Sequence, residues 1–147
     1  MFNTPLIIRP NFKALGGGVF SYALLYWFST AGAVAVSHWW FPSSSPSELK
    51  VLFYNSPLST FFAVMVVAQY FIPGFVAGFV ARRAGLMHGF IIGALLPIVT
   101  VFFFFYELQF ASNLVINILL YTLLLGLLFC SIAGVIGEVV AAKLWKK

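Results

Sequence analysis

Four long apolar runs, Leu15–Trp40, Leu58–Ala81, Leu86–Tyr106 and Leu114–Ala142, divide this chain, with only short charged or Pro/Ser-rich breaks between them. A helix needs about 20 apolar residues to cross a hydrocarbon layer about 30 Å thick. Each run has that length, and together they leave no room in 147 residues for a separate water-soluble domain. The chain is 63% hydrophobic and 7% charged, whereas soluble domains carry roughly 25% charged residues. The expected fold is therefore all-α, a polytopic membrane protein whose residues 1–147 form a single domain of four transmembrane helices. A transmembrane barrel would need segments of about 10 residues with strict in/out alternation. The nearly continuous apolar stretches Val101–Phe105 and Leu123–Leu128 break that pattern.

The basic residues set the orientation. If the runs alternate in direction, Arg9, Lys13, Arg82, Arg83, Lys143, Lys146 and Lys147 fall on one side, and Lys50 alone on the other. Loops rich in Lys and Arg stay in the cytoplasm, so both termini and the loop between runs two and three are expected there. The net charge of +5 and pI near 9.6 come from small basic groups at the ends of apolar runs. That placement reads as topology and not as a surface for nucleic acid. Ala33-Val34-Ala35 resembles a signal cleavage site, but the stretch before it is too long for a typical apolar region of about 7–15 residues. It reads as an uncleaved span.

Local patterns fill in the loops. Ser45-Pro46-Ser47-Glu48 matches a capping box with proline at the first helical position, and Leu49–Tyr54 follows it. This predicts a short helix lying in the outer interface. Trp39, Trp40, Phe41 and Tyr54 would form an aromatic belt beside it, with Trp145 playing that part on the inner side. Ser56-Pro57 reads as a second cap-and-proline start, opening span two. The inner loop, Arg82-Arg83-Ala84-Gly85, is so short that spans two and three must form a tight antiparallel hairpin. Their contact is expected to use small residues, with Gly74-x-x-x-Gly78 ending one span and Gly89-x-x-x-Gly93 beginning the other. Ala133, Gly137 and Ala141 repeat the four-residue spacing in span four, and Gly16-Gly17-Gly18 opens span one. A faint internal repeat, Gly18 with Ala23-Leu24-Leu25 against Gly89 with Ala94-Leu95-Leu96, raises the possibility of two duplicated hairpins.

Few side chains offer chemistry. Gln69 lies mid-span, and Pro73, four residues on, cannot donate to its carbonyl; Pro97 does the same to Gly93. Kinks, and either a polar hinge or plain helix packing, are expected there. Glu138 is the sole carboxylate within a span, where acids are costly and therefore functional candidates. Arg82, Arg83, His88 and Lys143 share its leaflet, so an ion pair or hydrogen bond is the expected partner. His38 and His88 sit at opposite ends of their spans, Asp is absent and Cys130 is the single cysteine. No metal-ligand set, disulfide, cofactor or catalytic triad is therefore expected. Cys130 reads as a small buried filler.

The stretch from Pro73 to Gly93, with its glycine-rich end of span two, basic turn and His88-Gly89 pair, resembles a family of uncharacterised four-span bacterial membrane proteins. Ala133-Gly134-x-x-Gly137 in span four is also similar, whereas Glu138 departs from the small or apolar residue usual there. The resemblance implies the four-span fold and a bacterial inner membrane, and no activity. The leading expectation is a non-enzymatic protein whose partners are the lipid bilayer and other membrane subunits or further copies of itself. The alternative is an oligomeric permease for a small solute or ion, with Gln69, Thr100, Asn117 and Glu138 as the polar groups available. A lipid-modifying enzyme would have to rest on Glu138 with His88.

Overall fold

The computed structural model describes residues 10–40, 57–104 and 112–145. It contains four helices, α1 (Phe12–Trp40), α2 (Pro57–Ala81), α3 (Gly85–Phe104) and α4 (Ser112–Leu144), and no strand among the described residues. Two stretches, Ser59–Ala81 and Leu119–Leu144, are long and apolar enough to cross a membrane, and Gly85–Val101 is a shorter apolar helix. The expected interfacial helix at 49–54 lies outside the described residues.

Short turns and end contacts fix the topology. The turn 82–84 joins α2 to α3, and Arg82 and Ala84 take the left-handed conformation there, with φ of 59° and 54°. The Arg82 N–H donates to the Gly78 carbonyl at 3.0 Å, which closes α2 in the manner of a left-handed helix cap. Asn11, just before α1, bonds to His88 at the start of α3, and Glu138 near the end of α4 bonds to Gly85. The starts of α1 and α3 thus share one end of the bundle with the finishes of α2 and α4, an up-down-up-down order. Pro57 opens α2 at its first position, where its missing N–H costs nothing. Both α2 and α3 continue through their internal prolines, Pro73 and Pro97.

The small-residue seams decide the packing, in a different way from the one the hairpin suggests. The hairpin glycines face α4 and not each other. A Cβ placed on Gly74 would meet the Cys130 backbone, and one on Gly78 the Gly134 carbonyl. From α3, a Cβ on Gly85 would meet that same Gly134 carbonyl, one on Gly89 the Cys130 carbonyl, and one on Gly93 the Gly126 carbonyl. Two successive carbonyls of α4 are therefore each flanked by a glycine of α2 and a glycine of α3. The strip on α4 that meets these glycines is Gly126, Cys130 and Gly134, at four-residue spacing, in addition to Ala133, Gly137 and Ala141. Gly137 faces the Phe75 carbonyl of α2, while Ala133 and Ala141 are buried. Helix α1 rests on α2 and α3. Its Gly18 lies against Ile92 and the Pro73 carbonyl.

Where no side chain separates two backbones, even one methyl group must displace a helix. We expect Gly78→Ala and Gly134→Ala each to lower stability by about 1–3 kcal/mol. Gly16, with no atom within 4 Å of its would-be Cβ, is the control. Gly16→Ala should leave the unfolding midpoint unchanged or slightly raised, since alanine is the better helix former by about 1 kcal/mol. Unfolding midpoints of the purified variants check all three.

Candidate functional site

Two groups of polar side chains stand out, one at the basic end of the bundle and one inside it. At the basic end, Asn11 is the N-cap of α1. Its Oδ1 accepts from the N–H groups of Lys13 (3.1 Å) and Ala14 (3.4 Å), and its carbonyl accepts from Leu15 (3.0 Å). In a capping box the residue three positions on would accept from the cap's own N–H, but Ala14 has no acceptor. His88 of α3 supplies one, its Nε2 lying 2.9 Å from the Asn11 nitrogen. The other ring nitrogen, Nδ1, lies 3.0 Å from the Ala84 carbonyl. One partner can only donate and the other only accept, so the ring is held as the Nδ1–H tautomer with both nitrogens engaged. His88 is 2% exposed.

The start of α3 is capped from outside as well. Ala84 occupies the N-cap position, its carbonyl accepting from the His88 N–H at 3.1 Å, and an alanine side chain cannot bond the free amides of the first turn. Glu138 reaches across from α4, and its Oε2 accepts from the Gly85 N–H at 2.6 Å. A carboxylate is favoured at a helix N-terminus both by the hydrogen bond and by the helix dipole. Glu138 therefore has a hydrogen-bonded partner that is a backbone amide. Among the described residues no ion pair joins it to Arg82, Arg83, His88 or Lys143. Arg82 instead lies over the Trp145 ring, 4.0 Å from its centroid, and Trp145 packs on Phe79 with ring centroids 5.1 Å apart.

Inside the bundle the polar groups pair across helices. The Tyr22 hydroxyl of α1 and Thr100 Oγ1 of α3 are 2.7 Å apart, and Thr100 also donates to the Leu96 carbonyl at 2.8 Å. Gln69 of α2 donates through Nε2 to Ser29 Oγ of α1, and Tyr70 of α2 lies beside Thr122 of α4. The Cys130 thiol donates to the Tyr70 carbonyl at 2.8 Å, so it links α4 to α2 rather than merely filling space. Tyr22, Gln69, Tyr70, Thr100 and Thr122 are all buried, and the two tyrosine rings lie 6.4 Å apart. Ser131 Oγ is buried without a partner among the described residues.

The structure thus brings Arg82, Arg83, His88 and Glu138 to one end and sets Gln69 apart from them. Asn117 is exposed and joins neither group. Sequence reasoning missed Asn11, Ser29, Tyr22, Tyr70 and Thr122. Asn11 was findable, being a cap-type residue just ahead of an apolar run. The tyrosines and threonines were not, since such residues occur on every face of an apolar helix. Among the described residues no three His, Cys, Asp or Glu side chains lie close enough to hold a metal. Comparison with family models, with curated proteins and with solved structures gives no match for this chain.

The two cross-helix caps are testable by stability. Glu138→Ala should cost about 1–2 kcal/mol, as loss of an N-cap does, while Glu138→Gln, which keeps an acceptor, should lie between it and the native protein. His88→Ala should cost about 1–3 kcal/mol by leaving the half-buried Asn11 N–H unpaired. Equal midpoints for Glu138→Ala and Glu138→Gln would show that the hydrogen bond does not matter.

Proposed function

We propose that the chain is a multi-pass protein of a bacterial inner membrane, with α1–α4 as its four spans and both termini and the Arg82-Arg83 turn in the cytoplasm. It acts without chemistry, as an accessory or assembly subunit of a larger membrane complex or as a homo-oligomer. The outer faces of all four helices support the membrane setting. Phe20, Trp27 and Phe28 on α1, Phe61 and Val64 on α2, Phe90 and Ile98 on α3, and Leu120 and Leu124 on α4 are exposed. A layer of such residues facing water would be strongly unfavourable.

One observation carries the packing role. The glycine seams of α2, α3 and α4 are taken up inside the bundle, yet a further set of small residues points outward on α1. Ala31 and Ala35 are exposed four residues apart, and Gly16 and Gly32 have no atom within 4 Å of a would-be Cβ. In a bilayer, outward small residues at this spacing let another helix approach closely. Glu138 and His88, the pair an enzyme would require, are each engaged by a backbone group, which favours the non-enzymatic reading.

The test is gentle extraction at native expression levels, followed by intact-complex mass and identification of co-purifying chains. We expect an assembly heavier than the 16.3 kDa monomer, which Ala31→Leu with Ala35→Leu disrupts. A monomer with no partner under these conditions would sink the reading. The permease alternative is favoured by the polar pairs Tyr22–Thr100 and Gln69–Ser29 inside the bundle. It becomes the better account if reconstituted protein moves a solute and Gln69→Leu abolishes the flux.

A further inference from the structure

Among the described residues, the basic end of the bundle has four cationic side chains and one carboxylate, and that carboxylate is already engaged. Lys13, Arg82, Arg83 and Lys143 are all exposed at this end. None of them has a carboxylate partner among the described residues. Glu138, the one acidic side chain among the described residues, is bonded to the Gly85 amide, and His88 has both ring nitrogens engaged. Arg82 is held by the Trp145 ring rather than by an anion. Directly beside these cations lie exposed apolar side chains: Phe12, Leu86, Phe90, Leu144 and Trp145. A phosphate floating in water needs only the cations. A phosphate attached to acyl chains needs the cations and the apolar flank together, and this end of the bundle offers both.

We propose that the basic end binds the anionic headgroup of a membrane phospholipid. Lys13, Arg82, Arg83 and Lys143 meet the phosphate, and the exposed apolar residues beneath them contact the acyl chains. The inference rests on the membrane setting proposed above and adds to it a headgroup preference. Basic side chains near an anionic lipid surface contribute additively and are screened by salt. Arg82, stacked on Trp145 in a turn of left-handed conformation, is the best fixed of the four. Arg83, in the same turn, is exposed and has no carboxylate partner among the described residues.

The experiment titrates the purified full chain in a neutral detergent with phosphatidylglycerol, and separately with phosphatidylcholine of the same acyl chains, counting bound lipids by native mass spectrometry. Phosphatidylglycerol should be retained preferentially. Arg83→Gln and Lys143→Gln should each weaken its binding by about fivefold, the effect expected for one cation at the surface, without changing the unfolding midpoint. Lys50→Gln, whose charge lies beyond a hydrophobic run in the sequence, should have no effect. Inorganic phosphate at millimolar concentration should neither bind nor compete. Equal retention of the two lipids, an equal loss from Lys50→Gln, or full competition by inorganic phosphate would each overturn the proposal. Recovery of the native protein in the soluble fraction of lysed cells would overturn the membrane setting and the lipid site together. Recovery in membranes without headgroup preference would overturn the lipid site alone.

Discussion

Direct contact between backbones is the constraint on which the rest of this structure depends. The carbonyls of Cys130 and Gly134 are each set between a glycine of α2 and a glycine of α3. Dispersion attraction falls steeply with separation, so helices that touch without intervening side chains gain contact along their whole length. The same approach brings Glu138 within reach of the Gly85 amide and the Cys130 thiol within reach of the Tyr70 carbonyl. A bulkier residue at any of these glycines would loosen the α2–α3–α4 unit and disconnect both polar links together.

Polar satisfaction follows the same economy. Amides at helix starts must find acceptors when water is scarce, and here two of them find side chains on other helices: His88 for α1 and Glu138 for α3. Each bond both closes a helix end and ties it to a neighbour, so a cap becomes a tertiary contact. Inside the bundle, hydroxyls and an amide do the same work in pairs, Tyr22 with Thr100 and Gln69 with Ser29. One result is electrostatic. With Glu138 engaged by a backbone amide, the exposed Arg83 and Lys143 have no carboxylate to balance them among the described residues, which is the basis for the proposed lipid headgroup site.

How much of this was legible in the residues differs from element to element. Helix positions followed from run length alone: the expected span from Leu58 to Ala81 meets α2 at Pro57–Ala81, and proline and the Arg82-Arg83 turn mark its two ends. The importance of Gly74, Gly78, Gly89 and Gly93 was legible from their spacing, but their partner was not. A four-residue repeat gives a flat strip on a helix without saying which neighbour lies on it, and the short hairpin loop pointed to the wrong one. That Gly126, Cys130 and Gly134 form one packing strip was not legible, because a cysteine interrupts the glycine pattern. Cys130 acts there as a residue small enough to let its own carbonyl through. Glu138 stands out as an acid in apolar surroundings, yet the candidate partners the sequence offers are all basic side chains, since a sequence displays its basic groups and hides its free amides.

The sequence by itself determined that this chain forms long helices with apolar outer faces and gathers its charge at their ends, because run length and charge placement are properties of a single segment in its surroundings. Only the tertiary structure decided that α4 lies between α2 and α3, that Glu138 and His88 close other helices' ends, and that Tyr22 meets Thr100. Those outcomes depend on the rotation and depth of one helix against another. With small residues on several faces of each helix, many arrangements satisfy the pattern equally well, and only the close fit of whole backbones selects one.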